Sequence, residues 1–90
     1  MNHKLVESYV KDQLRKQFGK RVFCENGIVY ISSLMEVVFK HNYIVISGYK
    51  TRNALCLEYP EHEEALNLLP GIIAAQLIVE EVTLLYKEVI

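Results

Sequence analysis

The spacing of apolar residues divides the chain into three segments. In the first segment, apolar residues recur every three or four positions, which is typical of a helix with one buried face. Asn2 can cap the start of this helix, and Gly19 stands where a left-handed residue often ends one. The pattern predicts a helix over about residues 3–18, whose apolar positions are Leu5, Val6, Tyr9, Val10, Leu14 and Phe18.

The middle segment consists of short runs rich in Val, Ile, Tyr and Phe, separated by turn residues, which predicts an antiparallel meander. Asn26-Gly27 is the strongest turn signal, because a type I′ turn needs positive φ at both central residues. His41-Asn42 is a weaker turn signal. The predicted strands are Arg21–Glu25, Ile28–Ile31, Leu34–Lys40, Tyr43–Tyr49 and Ala54–Tyr59.

The Ser32-Ser33 step leaves two structures open for the residues that follow it. Serine rarely adopts positive φ, so a tight two-residue hairpin is not expected there. Ser33 followed by Glu36 also forms a capping-box motif, which would make Leu34–His41 a short helix. The run from Val37 to Phe39 favours a strand instead. We expect a strand, with a bulged continuation of the preceding strand as one way to form it.

After Pro60 the pattern becomes helical again, with acidic residues in the first turn. Pro70 is expected to break or kink this helix, leaving a second piece over about residues 71–89. A narrow polar stripe on that piece contains Gln76, Glu80, Thr83 and Lys87. One apolar flank of the stripe contains Ile72, Ile73, Leu77 and Leu84, and the other contains Ile78, Val82, Leu85 and Val89.

Two apolar flanks are more than a surface helix normally shows, since a single stripe about 100° wide is usual. Both flanks could be buried if the helix were wedged between its own sheet and the first helix. A chain of 90 residues has little material to cover both sides. We therefore expect a homodimer or another protein partner, with the contact formed by Ile78, Val82, Leu85 and Val89.

Composition agrees with one α+β domain over residues 1–90. The chain is 51% hydrophobic with a net charge of −1, which excludes a disordered chain. The N-terminus lacks the apolar stretch of a signal peptide, and the low-charge stretch at residues 71–79 is too short to span a membrane. We expect a soluble cytoplasmic protein. Cys24 and Cys56 are expected to be buried thiols, with a bridge between them left open.

Charge is distributed unevenly along the chain. The first 52 residues carry a net charge of +5 and the remaining residues −6. A basic surface on and after the first helix, close to a tyrosine-bearing sheet, predicts an alternative function as a nucleic-acid-binding regulator. Its residues are Lys4, Lys11, Arg15, Lys16, Lys20 and Arg21. The same asymmetry could instead orient two chains or pair the halves of one chain.

Motifs for catalysis are weak. His3, His41 and His62 lack the spacing of a zinc site, and the glycines are too scattered for a phosphate-binding loop. Cys24 with His41 is the one nucleophile and base pair that residue type suggests. We expect a non-catalytic interaction or regulatory domain with no cofactor and no metal.

Overall fold

The computed structural model describes residues 2–89, with side chains described as far as Tyr86. The chain forms two helices and one sheet of five strands in the order β1-β2-β3-β4-β5, with every neighbouring pair antiparallel. This arrangement confirms the predicted α+β fold. The elements are α1 (His3–Phe18), a 3₁₀ turn (Gly19–Arg21), β1 (Val22–Glu25), β2 (Ile28–Ile31), β3 (Met35–Phe39), β4 (Tyr43–Gly48), β5 (Ala54–Glu58) and α2 (Glu63–Val89).

Helix α1 has the predicted bounds because both of its ends are capped. The Asn2 Oδ1 atom accepts a hydrogen bond from the Lys4 N–H at 2.8 Å. Gly19 has a φ of +56°, and its N–H donates to the Arg15 carbonyl. A residue without a Cβ atom adopts this φ at little cost, so Gly19 ends the helix.

The strand-connecting turns depend on positive φ angles. Asn26 and Gly27 have φ of 52° and 77°, which confirms the predicted hairpin turn. Ser32 and Ser33 have φ of 55° and 56°, which serine rarely adopts. Because Ile31 pairs with Met35, the connection is a three-residue loop, in agreement with the expectation that a tight two-residue hairpin does not form there. Pairing of β2 with β3 on both sides of the turn stabilises this conformation against its local cost. Residues 35–39 form a strand rather than a helix.

Both helices pack on one face of the sheet, so the core lies between two layers. The strand register places alternate residues of β2, β3 and β4 on that face. The sheet contributes Val29, Ile31, Met35, Val37, Ile44 and Ile46 to the core, and the helices contribute Val6, Val10, Leu14, Leu66, Leu69, Ile73 and Leu77.

Helix α2 continues through Pro70, so of the two expected outcomes, a break or a kink, the break does not occur. Proline has no N–H to donate to the carbonyl of Leu66. Burial of Leu66 and Leu69 before the proline, and of Ile73 after it, holds both sides of Pro70 against the sheet. The helix has 27 residues, about 40 Å in length, and accounts for the longest dimension of the molecule, 44 Å.

The two cysteines are free thiols on opposite faces of the sheet. Cys24 is half-buried on the helix side of β1, whereas Cys56 is exposed on the other face of β5. Since β1 and β5 are the two edge strands, a bridge between these residues is excluded. The expectation of two buried thiols is wrong for Cys56, because the alternation of β5 turns it away from the core.

Candidate functional site

The inward face of α2 covers the sheet. Ile73 and Leu77 are 1% and 2% exposed, and the half-buried Ile72 and Leu84 pack against the same core. The prediction that one apolar flank of this helix is buried on the sheet is thereby confirmed.

The opposite flank of α2 is exposed in the single chain. Ile78, Val82 and Leu85 are 62%, 45% and 61% exposed. Val89 lies at the end of α2, and its side chain is outside the described residues. The outer face of α2 is defined here by the exposed apolar residues Leu68, Ala75, Ile78, Val79, Val82, Leu85 and Tyr86.

The polar stripe of α2 contains a buried carboxylate. Glu80 is fully buried, and its oxygens accept hydrogen bonds from the N–H groups of Lys50 and Thr51 at 2.8 and 3.0 Å. The Thr51 hydroxyl donates at 2.7 Å, and the Gln76 amide also donates. At Glu80 the stripe is therefore a contact with the β4–β5 loop, while the side chain of Lys87 lies outside the described residues.

The environment of Glu80 keeps this carboxylate ionised. Desolvation by burial raises its pKa, but the hydrogen bonds from Thr51, Gln76 and Lys50 lower it by more, so the pKa lies below its ordinary value. Four donors use most of the carboxylate's acceptor capacity. We interpret Glu80 as an anchor for the loop, because it has little capacity left to bind a ligand.

Gly48, at the end of β4, provides the space for this anchor. A Cβ atom at this position would overlap the Glu80 carboxylate. Sequence reasoning missed the pair because the two residues are 32 positions apart and each had a simpler explanation. The available signal was a glycine inside a strand pattern, which often marks close approach by another group.

The face of the sheet away from the helices is partly apolar. Tyr43 and Tyr49 are exposed and Val45 is half-buried, while Ile44 and Ile46 are buried, so alternate residues of this segment face away from the helices. The Tyr49 hydroxyl donates to Glu36 at 3.0 Å. Partial desolvation, followed by this hydrogen bond and nearby negative charge, raises the pKa of Tyr49 to about 12.

An open depression of about 620 Å³ lies at one end of this face. The rings of Phe23 and Tyr30 lie beside one another there, with centroids 6.2 Å apart. Arg21 is already engaged, because its Nε donates to the Ser32 hydroxyl at 2.6 Å and its guanidinium forms an ion pair with Glu81. The depression is lined by Lys20, Arg21, Phe23, Glu25, Tyr30, Ser32, Ser33 and Tyr49.

The basic residues predicted as a nucleic-acid surface divide into two groups. Lys11 pairs with Glu7 at 3.4 Å, and the Arg15 guanidinium donates to the Cys24 sulfur at 3.3 Å. Arg21 pairs with Glu81, which joins the basic half of the chain to the acidic half. The exposed residues without such a contact among the described residues are Lys4, Lys16 and Lys20.

Two histidines that are distant in sequence meet at the start of α1. The rings of His3 and His41 are 6.0 Å apart, edge to face, and the Tyr59 ring lies 5.8 Å from His3. The Tyr59 hydroxyl donates to the Lys40 carbonyl at 2.6 Å. Within the described residues, no group of three or more metal-binding side chains occurs. The contact of Cys24 is with Arg15, so the suggested Cys24 and His41 pair is not assembled.

By length and composition alone, α2 from Glu63 to Tyr86 is able to cross a membrane. The low-charge stretch over residues 71–79 is short because it begins after Pro70 and ends at Glu80, whereas α2 itself continues on both sides of it. A membrane-spanning α2 would lose its inward contacts with the sheet and the hydrogen bonds of Glu80 to the β4–β5 loop.

No protein-family model, curated protein or solved structure matches the chain. The outer face of α2 is therefore the feature from which a function can be inferred. Among the described residues, it carries six of the eleven large apolar side chains that are exposed.

Proposed function

We propose that the protein is a non-catalytic interaction or regulatory module that acts as a homodimer through the outer face of α2. The observation that carries this proposal is the continuous exposure of large apolar residues on that face, as with Ile78, Val82 and Leu85. Contiguous apolar patches of this kind are uncommon on monomers and mark interaction sites.

The outer face of α2 also has the composition of an interface core. It contains no charged residue, and the neighbouring Glu81 is neutralised by Arg21 of the same chain. Depletion of charge and the presence of an aromatic residue such as Tyr86 are typical of buried interface centres. A second copy of the chain offers the same apolar surface, so a two-fold contact is self-complementary.

The free energy available from this surface sets the expected affinity. Complete burial of a Val, Leu or Ile side chain is worth roughly 1.5–3 kcal/mol. The six large side chains are about half exposed, so covering both copies contributes on the order of 10 kcal/mol. Association costs about 4–15 kcal/mol in lost freedom. Because these quantities are similar, we expect a dimer that dissociates on dilution.

Gel filtration with light scattering tests the proposal on the wild-type chain and on Ile78→Glu. A glutamate at the centre of the outer face would be buried without a partner in the dimer, which is strongly unfavourable. We expect the wild type to form dimers at high concentration and Ile78→Glu to weaken dimerisation at least tenfold. Unchanged circular dichroism would show that the variant is folded.

Phe23→Glu is the matched control, because it places the same charge on a large exposed residue of the other sheet face. It should leave the dimer intact. Loss of the dimer in Phe23→Glu but not in Ile78→Glu would place the interface on the sheet and overturn the proposal. Flotation of the wild type with phosphatidylcholine vesicles, abolished by Ile78→Glu, would show that lipid covers the outer face and would also overturn it.

A second candidate function is binding of single-stranded nucleic acid. The pairing of the Phe23 and Tyr30 rings beside the exposed Lys20 favours it, because bases stack on aromatic rings and lysine binds phosphate. Fluorescence anisotropy with labelled single-stranded RNA and DNA would test it. We expect binding that weakens with salt and is reduced by Lys20→Glu. Absence of binding at low salt would exclude this candidate.

A further inference from the structure

Six exposed residues on the outer side of α2 follow a heptad repeat. Successive positions are separated alternately by three and four residues, which keeps them on one side of two helices that wind around each other. The buried residues Ile73, Leu77 and Glu80 lie on the opposite side of α2. We define the α2 seam by the six exposed residues in this repeat, Leu68, Gly71, Ala75, Ile78, Val82 and Leu85.

The α2 seam is uneven in size. Gly71 and Ala75 are small, whereas Ile78, Val82 and Leu85 are large. In a parallel pair each residue faces the same residue of the partner chain. Gly71 would then face the partner's Gly71, and Ala75 the partner's Ala75. These two layers of small residues would leave a void beside the layers of large residues. Packed interfaces avoid such voids by placing small residues opposite large ones.

An antiparallel pair places small residues opposite large ones. If the two-fold axis lies at the level between residues 76 and 77, every residue of the α2 seam faces another residue of the seam. The facing pairs are Leu68 with the partner's Leu85, Gly71 with the partner's Val82, and Ala75 with the partner's Ile78.

We infer that two copies of the chain pair through their α2 seams as a short antiparallel coiled coil, with the two sheets on its outer sides. This inference rests on the proposed function, because it specifies the geometry of the same contact. In this arrangement, Leu68 and the partner's Leu68 are separated by about 26 Å along the helix axis. Leu68 and the partner's Leu85 face each other.

Cysteine cross-linking tests this geometry in the full chain with Cys24→Ser and Cys56→Ser as background. Leu68→Cys and Leu85→Cys are prepared separately, since both residues are exposed and neither belongs to the core. A disulfide requires Cα atoms within about 7 Å. We expect little cross-linking of either variant alone and efficient cross-linking in an equimolar mixture, with light scattering confirming that both variants dimerise.

The other outcomes are distinguishable. Cross-linking of each variant with itself would show a parallel pair and overturn the antiparallel inference while leaving the homodimer in place. A dimer that cross-links in none of the samples would place the contact elsewhere and overturn the inference too. A background chain that is monomeric at every concentration would overturn both this inference and the proposed function.

Discussion

The two serines of the β2–β3 turn have positive φ, which is unfavourable for residues with a Cβ atom. Ser32 has a compensating contact, because its hydroxyl accepts a hydrogen bond from Arg21. Ser33 is exposed. The unfavourable backbone conformation of Ser33 is therefore compensated by the pairing of β2 with β3 on each side of the turn.

Substitutions of Ser33 test whether backbone strain or side-chain contacts determine the contribution of this residue to the free energy of unfolding. We expect Ser33→Gly to raise the free energy of unfolding by up to about 1 kcal/mol, because glycine adopts positive φ at little cost. Ser33→Val should lower it by about 1–2 kcal/mol, because a β-branched residue is poorly tolerated there. Urea denaturation measures both, and a loss of stability in Ser33→Gly would contradict this explanation.

Gly48 has a different role, because the absence of a side chain leaves room for the Glu80 carboxylate. We expect Gly48→Ala to lower the free energy of unfolding by about 2–3 kcal/mol, because the added methyl group displaces Glu80 from its donors. The control is the same substitution in a Glu80→Ala background, where the carboxylate is absent. An equal loss of stability in both backgrounds, measured by urea denaturation, would show that Gly48 does not act through Glu80.

At the scale of elements, the contact of α2 with the β4–β5 loop depends on one ionised side chain. Glu80 accepts hydrogen bonds from Lys50 and Thr51, and folding lowers its pKa below the ordinary value of 4.5. A carboxyl whose pKa is lowered stabilises the fold above its unfolded pKa. This contribution is lost as the pH falls through the folded pKa.

The free energy of unfolding of Glu80→Gln should therefore depend less on pH than that of the wild type. At pH 7 we expect this variant to lose about 1–3 kcal/mol, because an amide nitrogen would replace the oxygen that accepts from the Thr51 hydroxyl and the Gln76 amide. The difference from wild type should narrow as the pH falls below 4.5, where the wild-type carboxyl becomes protonated. Denaturation curves at several pH values measure this. Glu81→Gln, which removes only a surface ion pair, is the control, with an expected loss of about 0–1 kcal/mol.

Elements with local signals were predictable from sequence. Asn2 and Gly19 define α1, and Asn26-Gly27 defines the first hairpin, because each signal acts on its own backbone. The positive φ angles of Ser32 and Ser33 were not predictable because they are imposed by the pairing of β2 with β3. Sequence could not decide between a break and a kink at Pro70, because the packing of α2 on the sheet outweighs the local penalty.

The candidate site was predictable only in part. Periodicity identified the apolar flank containing Ile78, Val82 and Leu85, since helical spacing alone places these residues together. It did not show that Glu80 is buried, because its donors come from the β4–β5 loop some 30 positions earlier. Periodicity also did not predict the contact of His3 with His41, because that contact depends on how α1 packs on the sheet.

At the scale of the whole molecule, α2 has two apolar faces and only one of them is covered. The helices α1 and α2 form a single layer on one side of the sheet, so neither shields the outer face of α2. The chain folds around one core and leaves a second apolar surface exposed. We propose that another copy of the chain covers this surface.

Sedimentation equilibrium of the wild-type chain over a wide concentration range tests this claim most directly. We expect the weight-average mass to rise with concentration from 10.4 kDa toward twice that value and to level off there. A mass of 10.4 kDa at every concentration would contradict the account.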